Sequence, residues 1–287
     1  MPELPEVEIV KQSLKKTVKL KKIQKVLIKN YNLRFKIHKN LSKKLRNEKI
    51  LNIQRKSKYL IFHLTTSKYL IVHFGMSGTL HLIKKNKKKI NTNLSFYSEK
   101  NLPKKHNHVE ILFDNFKLIY NDPRRFGFII LLSSNQKFLN FFKKLGLEPL
   151  DIKFNYKYLK NKIFNRKKNI KNILLDQSIV SGLGNIYVNE ILNYSKVNPK
   201  KHGSQLNDNE IKLIIKYSKL VIKKAIIKGG SSIRDFKSSK GQKGSYQNEF
   251  RAYDRHEKEC LNKYCNGMIE RIFITNRSTF FCKKCQK

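Results

Sequence analysis

The residues of this chain that are suited to chemistry include four cysteines, which all lie near the C-terminus in the pattern C-x4-C-x16-C-x2-C. Two close pairs of thiolates on either side of a strand-rich spacer suit tetrahedral coordination of Zn²⁺. Two disulfides are the alternative, although thiols stay reduced in the intracellular compartment that the sequence indicates. Four thiolates leave no open position for a catalytic water, so the expected ion is structural. We therefore expect one zinc ion bound by Cys260, Cys265, Cys282 and Cys285.

The N-terminal stretch MPELPEVE suggests a second kind of chemistry. Pro5 followed by Glu6 and Glu8 is typical of a helix start, since proline fits the first turn and carboxylates favour the positive end of the helix dipole. Once the initiator methionine is removed, Pro2 presents a secondary α-amine that is partly neutral at pH 7, because such amines have pKa values of about 8. Condensation of this amine with an aldehyde-equivalent carbon gives a cationic iminium, an electron sink that favours β-elimination. Glu3 is then placed to act as general acid and base.

The charge of the chain indicates a polyanionic partner. Lysine and arginine number 63 against 20 acidic residues, which gives a formal net charge of +43 and a pI of about 10.2. Nucleic acid is the commonest polyanion inside cells. The abundance of lysine, asparagine and isoleucine also fits A+T-rich coding, so part of the charge is expected on solvated faces. No apolar run has the length of a signal peptide or a membrane span, which favours an intracellular, cytoplasmic protein.

Elements of two kinds must position these residues. Residues 20–132 predict mostly strands, with a hairpin turn at Asp114-Asn115 between two alternating segments. From about residue 135 the apolar spacing becomes helical, and a helix is predicted that ends at Gly146. Its apolar stripe consists of Phe138, Leu139, Phe142 and Leu145.

Farther along, the stretch NIKNILLDQSIVSGLGNIYVNEILNYSK predicts two helices joined by a tight turn. Asn207 and Glu210 predict the N-terminal cap of another helix, which ends at Gly229-Gly230. Between the cysteine pairs, IERIFITNRSTFF predicts two strands around a turn at residues 275–278. That turn is expected at the end remote from the metal, where it presents Arg277 outward. An arginine at a hairpin tip is usually just solvated, but a basic tip also suits phosphate contact.

Two stretches show no periodicity. The insertion at residues 84–105 is rich in lysine and asparagine and is expected to be a mobile surface segment. The stretch at residues 229–248 is rich in glycine, serine and lysine, and a loop of this length is either a linker or a functional lid.

Seven motifs, in order along the chain, resemble those of the formamidopyrimidine-DNA glycosylases, of the helix-two-turn-helix glycosylase/lyase family. They are MPELPEVE, RKSKYLI, HFGMSG, KHNHVE, NDPRRFG, LLDQSIVSGLGNIYVNE and RSTFFCKKCQK. Because separate motifs at both termini and in the middle agree, the resemblance covers the whole chain and is specific.

The resemblance implies a multidomain α+β fold. Its parts are an N-terminal catalytic β-sandwich with an N-terminal helix at residues 1–134, a helical helix-two-turn-helix domain with a lesion-capping loop at residues 135–248, and a β-hairpin zinc finger at residues 249–287. It implies a DNA repair enzyme that excises oxidised purines, such as 8-oxoguanine and formamidopyrimidines, from double-stranded DNA and then cleaves the abasic site by β,δ-elimination. We expect it to act as a monomer in the bacterial cytoplasm, associated with the nucleoid.

The resemblance also implies catalytic roles. Pro2 attacks the sugar C1′ and forms the Schiff base, Glu3 acts as acid and base on the sugar, and Glu6 supports the site. Lys58 corresponds to the proton donor for β-elimination, and Arg277 to the donor for δ-elimination. Lys58 directly precedes an apolar run, which permits a partly buried ammonium with a lowered pKa.

By the same alignment, a second group of residues contacts DNA. Since the target nucleotide must be everted from the duplex, a hole remains to be filled. The residues that resemble DNA contacts are His106, Arg124, Arg166 and Asn185, and those that resemble void-filling residues are Met76, Arg124 and Phe126. The backbone at the GLGN helix start is expected to bind the phosphate at the lesion.

Three features depart from the family pattern. The first cysteine pair is separated by four residues where two are commoner, Asp254 stands where glycine is usual, and the lysine-rich insertion is longer. The spacing of four remains within known zinc sites.

Two other functions remain open at this stage. An endonuclease VIII-type enzyme has the same fold and nucleophile but acts on oxidised pyrimidines, whereas PELPEVE and DPRRFG favour the purine enzyme. A non-catalytic, zinc-bearing nucleic-acid-binding protein would depend on charge alone and not on Pro2.

Overall fold

The computed structural model describes residues 2–84, 92–94, 104–231 and 244–287, and these fall into two compact units. Unit 1 comprises Met1–Lys143 and Lys228–Gln247, and unit 2 comprises Lys144–Ile227 and Asn248–Lys287. The division into domains at residues 134 and 248 remains a prediction. The expectations for the insertion at residues 84–105 and for the loop at residues 229–248 fall largely outside the described residues.

Strands predominate in the first half of the chain and helices in the second, as the change of periodicity predicts. The helices are α1 (Leu4–Val18), α2 (Leu41–Leu45), α3 (Asn135–Phe142), α4 (Tyr156–Ile163), α5 (Ile170–Leu175), α6 (Asn185–Ser195) and α7 (Asp208–Ile227). The strands are β1 (Lys25–Ile28), β2 (Ile50–Lys56), β3 (Tyr59–Leu64), β4 (Tyr69–His73), β5 (Thr79–Lys84), β6 (Thr92–Leu94), β7 (Asn107–Leu112), β8 (Phe116–Asn121), β9 (Phe128–Leu132), β10 (Ile269–Ile274) and β11 (Arg277–Cys282). Among the described residues, no helix is long and apolar enough to cross a membrane.

Unit 1 is a β-sandwich, as predicted. One sheet has the strand order β1-β7-β8-β5-β6 and the other the order β2-β3-β4-β9, and the neighbouring strands are antiparallel. The central strand β3 is buried on both faces, because Leu60 and Phe62 on one face and Ile61 on the other are all excluded from solvent. Helix α1 packs against β2 and β3 with its apolar stripe of Val7, Val10 and Leu14.

One predicted turn in unit 1 is confirmed and one predicted helix end is wrong. The chain reverses at Asp114-Asn115 between β7 and β8, where the N–H of Phe113 donates to the carbonyl of Phe116. Helix α3 ends at Phe142 and does not reach Leu145. Gly146 is needed for close approach instead, since a Cβ there would lie 2.3 Å from the carbonyl oxygen of Ile179.

Helix α6 is the centre of unit 2, where α5, α7 and β11 pack around it. Its polar side chains are buried and bind the C-terminal segment. Glu190 accepts the backbone N–H groups of Arg251, Ala252 and Tyr253 at 2.8 to 2.9 Å. The amide oxygen of Asn189 accepts the N–H of Phe280 at 2.8 Å. Side-chain hydrogen bonds from this helix therefore hold the C-terminal segment and its hairpin.

Other predicted elements of unit 2 are confirmed. Two helices, α5 and α6, flank the SIVSGLG turn. Asn207 and Glu210 cap α7 reciprocally, each donating a backbone N–H at 2.9 Å to the side chain of the other.

Candidate active site

The first turn of α1 brings Pro2, Glu3 and Glu6 together, and all three are buried. Glu3 is the N-cap residue, and it forms a capping box with Glu6 in which the backbone N–H of Glu3 donates to Oε2 of Glu6 at 2.9 Å. Glu3 and Glu6 therefore stabilise the helix start, and both are close to Pro2 in the sequence.

The second carboxylate oxygen of Glu6 binds the segment that follows α7. Oε1 accepts hydrogen bonds from the backbone N–H of Ser231 at 2.8 Å and from its hydroxyl at 3.0 Å. Gly230 has a φ of +81°, and a Cβ there would lie 3.0 Å from the same oxygen. Only glycine adopts this φ readily and leaves room for the carboxylate. Glu6 thus joins the N-terminal turn to residues 230–231, which follow α7.

Lys58 occupies the second position of a two-residue turn between β2 and β3, in which Lys56 pairs with Tyr59. Lysine usually extends into water, but only 8% of Lys58 is exposed. Burial, followed by the charges of Lys58 and Arg34, lowers the pKa of His73 to about 4. Lys58, His73 and Arg34 therefore share one electropositive region of unit 1.

A cleft of about 770 Å³ in unit 1 is lined by Met76, Arg124 and Phe126, the residues expected to fill a void in DNA. Each of the three is exposed, and the guanidinium of Arg124 lies over the Phe126 ring at 4.6 Å. His73 and Arg34 line the same cleft. Exposed apolar side chains beside a cation are suited to insertion between bases.

Buried Asp122 fixes the loops that carry these three residues. Its Oδ1 accepts the hydroxyl of Ser77 at 2.5 Å, and its Oδ2 accepts the N–H of Gly127 at 2.8 Å and the hydroxyl of Tyr120 at 3.3 Å. Ser77 in turn accepts the N–H of Arg124 at 3.1 Å. Burial and then the Asp122 charge raise the pKa of Tyr120 well above its ordinary value, so its hydroxyl remains a donor.

We expect Asp122→Asn to destabilise unit 1 by about 2 kcal/mol, because an amide cannot accept from all three buried donors and one of them loses its partner. Binding to duplex DNA should weaken as the cleft loses its shape. Urea unfolding and DNA titration measure the two effects. Asp114→Asn, the same change in an exposed hairpin turn, is the control. Equal stability of the two variants would contradict this account of Asp122.

His106 and Arg166 lie at the ends of short helices, His106 in unit 1 and Arg166 in unit 2. His106 is the last residue of a 3₁₀ turn, is half-buried, and accepts the N–H of Asp122 through its carbonyl at 3.1 Å. Arg166 follows α4, is half-buried, and donates its N–H to the carbonyl of Ile163 at 3.0 Å.

In unit 2, Asn185 begins α6 and contacts the C-terminal hairpin. Its Nδ2 donates to the carbonyl of Ser278 at 2.9 Å, and the N-cap residue is Gly184. The start of α6 thus lies beside the strand that carries Arg277.

Arg277 is exposed at the first position of β11, where it pairs with Ile274. The turn is therefore Thr275-Asn276 alone, and the predicted four-residue turn is too long. Both turn residues have positive φ values, 47° and 57°, which is typical of a type I′ turn. Cys282 ends the same strand, so Arg277 lies at the end of the hairpin remote from the cysteines, as predicted.

The four cysteines converge at the other end of the hairpin. Their sulfur atoms all lie within 4.8 Å of one another, and Sγ–Sγ distances of 3.6 Å join Cys260 to Cys285 and Cys265 to Cys282. These distances exceed a disulfide bond of about 2.05 Å and approach the roughly 3.8 Å edge of a tetrahedral Zn–S₄ site. Gly267 leaves space for the sulfur atoms, because a Cβ there would lie 2.7 Å from the sulfur of Cys282. The cluster is able to bind a metal ion.

Comparison with known families agrees with this arrangement. Residues 1–129 match the formamidopyrimidine-DNA glycosylase N-terminal domain, and residues 145–237 match the formamidopyrimidine-DNA glycosylase H2TH domain. The chain belongs to the formamidopyrimidine-DNA glycosylase family.

Relatives in the family match the chain over its whole length. Formamidopyrimidine-DNA glycosylases of Rickettsia bellii and of Wolbachia pipientis from Culex pipiens are 42% and 39% identical, each with 100% of both chains covered. Among solved structures, a complex between Lactococcus lactis Fpg and DNA containing an abasic site is 34% identical with a TM-score of 0.87, covering 99% of both chains. A complex between a mutant of the Lactococcus lactis protein and DNA containing Fapy-dG has the same identity and TM-score over 100% of both chains.

One departure from the family pattern has a conformational explanation. Asp254 has a φ of +57°, in the left-handed region that favours glycine. Aspartate is among the residues that tolerate this region best, so Asp254 fits this backbone conformation.

Lys171, the second residue of α5, is a buried polar residue that sequence patterns do not reveal. This side chain is fully buried, and its Nζ donates to the carbonyl of Ser278 at 2.9 Å and to the hydroxyl of Thr279 at 2.7 Å. Burial and then the charge of Arg277 lower the pKa of Lys171 to about 7. Lys171 therefore supports the strand that carries Arg277. In the sequence, the one indication is that this lysine lies within a mostly apolar run, Ile170 to Leu174. In the structure most residues of that run are buried.

A pH dependence of stability follows from Lys171. Its pKa in the folded chain, about 7, is below the ordinary value of 10.5, so between these pH values the unfolded chain binds more protons than the folded chain. The free energy of unfolding should therefore rise with pH in this window, by about 4 kcal/mol. Urea unfolding at pH 7, 8.5 and 10 measures the slope. Lys171→Met should remove this increment, and an identical slope in both proteins would exclude Lys171 as its source.

Proposed function

We propose that this chain excises oxidised purines, including 8-oxoguanine and formamidopyrimidines, from double-stranded DNA and then cleaves the abasic site. The observation that carries the proposal is the first turn of α1, where Pro2, Glu3 and Glu6 lie together at the N-terminus. Family membership and the Lactococcus lactis complexes with damaged DNA support it.

The proposed reaction begins at the α-amine of Pro2, which becomes available once Met1 is removed. The amine forms a bond to the sugar C1′ while the N-glycosidic bond breaks and the base leaves with its electron pair. Glu3 acts as acid and base on the sugar and delivers a proton to the ring oxygen O4′ while the amine loses its own proton. Ring opening then gives a cationic iminium between Pro2 and C1′. The iminium accepts electrons when a C2′ proton is removed, so the 3′ phosphate departs by β-elimination. In the δ step the C4′ proton is lost, its electron pair passes into the conjugated iminium, and the C5′–O bond breaks as the 5′ phosphate departs.

The other candidate residues are proposed to donate protons, to fill the space left in the DNA or to bind phosphates. Lys58, with little exposure, donates a proton during β-elimination, and Arg277 does so during δ-elimination. Met76, Arg124 and Phe126 enter the space left by the everted nucleotide, with Arg124 facing the orphaned base. His106, Arg166 and the start of α6 at Asn185 bind phosphates.

The metal at the cysteine cluster is proposed to be one structural zinc ion. Four thiolates and the sulfur separations suit Zn²⁺, which supplies a cross-link at the base of the hairpin when bound. We also propose that the protein acts as a monomer on DNA in the cytoplasm, and its net charge of +43 favours association with the nucleoid.

Borohydride trapping on a duplex with 8-oxoguanine opposite cytosine tests the proposed function. The expected result is a covalent adduct that peptide mass mapping places on the peptide beginning at Pro2. A duplex with thymine glycol is run in parallel, and stronger trapping there would identify an enzyme for oxidised pyrimidines. Zinc-loaded protein that binds both duplexes and is trapped on neither would indicate a non-catalytic binding protein.

A further inference from the structure

A chain of contacts links α1 to the turn that carries Lys58, and the reaction proposed above does not account for it. Nε of Arg55 donates to Oε2 of Glu8 at 2.9 Å, and Nη1 of Arg55 donates to the carbonyl of Ser57 at 3.1 Å. Glu8 belongs to α1, which begins at Leu4, two residues after Pro2, and Ser57 directly precedes Lys58.

The turn needs such support because its backbone is strained. Ser57 has a φ of +54°, whereas Lys58 does not have a positive φ. This is the pattern of a type II′ turn, whose first position favours glycine. A serine in this conformation persists only where its surroundings hold it. The carbonyl of Ser57 is held by the Arg55 guanidinium, and Ser57 is itself 1% exposed.

The ion pair between Arg55 and Glu8 is largely buried, and further hydrogen bonds hold it. The side chains of Arg55 and Glu8 are 11% and 12% exposed, so solvent screens the pair less than a surface pair. Glu8 is held in turn by Lys11 at 2.5 Å and Gln12 at 3.0 Å through its other oxygen. Burial alone would raise the pKa of Glu8, but the hydrogen bonds of Lys11 and Gln12 and the charge of Arg55 lower it, so Glu8 stays ionised.

We propose that Glu8 and Arg55 are positioning residues that fix the Lys58 turn relative to the N-terminal end of α1. The inference rests on the proposed function, because it assigns the pair to the β-elimination step. Arginine is required, since its planar fork reaches the carboxylate and the carbonyl at once, which a lysine ammonium does not reproduce.

Single-turnover kinetics of Arg55→Lys tests the proposal. We expect β-elimination on a preformed abasic duplex to slow roughly tenfold, since misplacement of a catalytic group is costly, while release of 8-oxoguanine changes less than about threefold. Glu8→Gln should show the same split. The control is Arg46→Lys, a matched change at an exposed position after α2, which should change neither rate.

A rescue separates positioning from a general loss of stability. Adding Ser57→Gly to Arg55→Lys removes the strain at φ +54°, because glycine adopts positive φ freely, and should restore most of the β-elimination rate. Equal slowing of both steps, or no rescue by glycine, would overturn the proposal. If the unsubstituted protein neither releases 8-oxoguanine nor catalyses β-elimination, the proposed function itself is refuted.

Discussion

The substitution Glu3→Gln is expected to slow release of 8-oxoguanine by about 10³-fold, which is typical of losing a general acid/base. Glutamine has nearly the same shape as glutamate but cannot take up or deliver the proton on the sugar. In the capping box, the backbone N–H of Glu3 donates to the Glu6 side chain, and the Glu3 side chain accepts the backbone N–H of Glu6. The amide oxygen of glutamine accepts this second N–H as well, so the cap survives the substitution. Single-turnover excision from a duplex with 8-oxoguanine opposite cytosine measures the effect.

The same variant should retain Pro2 as a nucleophile. On a preformed abasic duplex there is no base to release, so borohydride trapping of Glu3→Gln should stay within about tenfold of the unchanged protein, since only part of the acid/base catalysis is needed there. Asp114→Asn, a carboxylate-to-amide change in an exposed turn of unit 1, controls for the loss of one negative charge. Full base excision by Glu3→Gln would remove Glu3 from the reaction.

The sequence predicted local features of the fold well because they depend on neighbouring residues. The turn at Asp114-Asn115, the cap formed by Asn207 and Glu210 and the cysteine spacing each rest on residues close together in the chain. The apolar stripe of α3 was extended too far, because Leu145 continues the helical spacing after the helix has ended at Phe142. Periodicity does not reveal that Gly146 must approach the carbonyl of Ile179.

The features that escaped prediction are polar groups whose partners lie far away in sequence. Lys171 binds Thr279, 108 positions later, and Asp122 accepts from Ser77, 45 positions earlier. In the sequence Lys171 is one of many lysines, and lysine is most often solvated. Glu6 and Ser231 are 225 positions apart, so the bond between the N-terminal turn and the start of the 229–248 loop was likewise invisible. Motif resemblance located the candidate reacting residues but not the residues that hold them.

Removing the metal from the cysteine cluster is the second change with a large expected effect. Cys285→Ser should lower the zinc content to a small fraction of one equivalent and weaken binding to damaged duplex by about 10²-fold or more, because structural zinc contributes on the order of 10 kcal/mol to folding in small domains. Metal analysis and DNA titration in buffers of equal salt concentration measure both effects, since phosphate contacts make affinity salt-dependent.

Gly267→Ala separates the shape of the site from its ligands. It leaves all four thiolates in place, but the added Cβ would lie 2.7 Å from the sulfur of Cys282, so zinc affinity should fall although no ligand is lost. Lys283→Ala, an exposed change between two of the cysteines, should leave the zinc content unchanged.

DNA binding and strand cleavage by metal-free protein also show what holds Arg277 in place. Contacts from Lys171, Asn185 and Asn189 fix β11 to α5 and α6 along its length, whereas the cysteines join only its far end to the segment around residue 260. If the metal is required, metal-free protein should bind DNA weakly and stop after β-elimination, because the hairpin no longer presents Arg277 in a fixed position. Metal-free protein that binds normally and completes δ-elimination would show that the polar contacts with α5 and α6 suffice, and that a metal at the cysteine cluster serves stability alone.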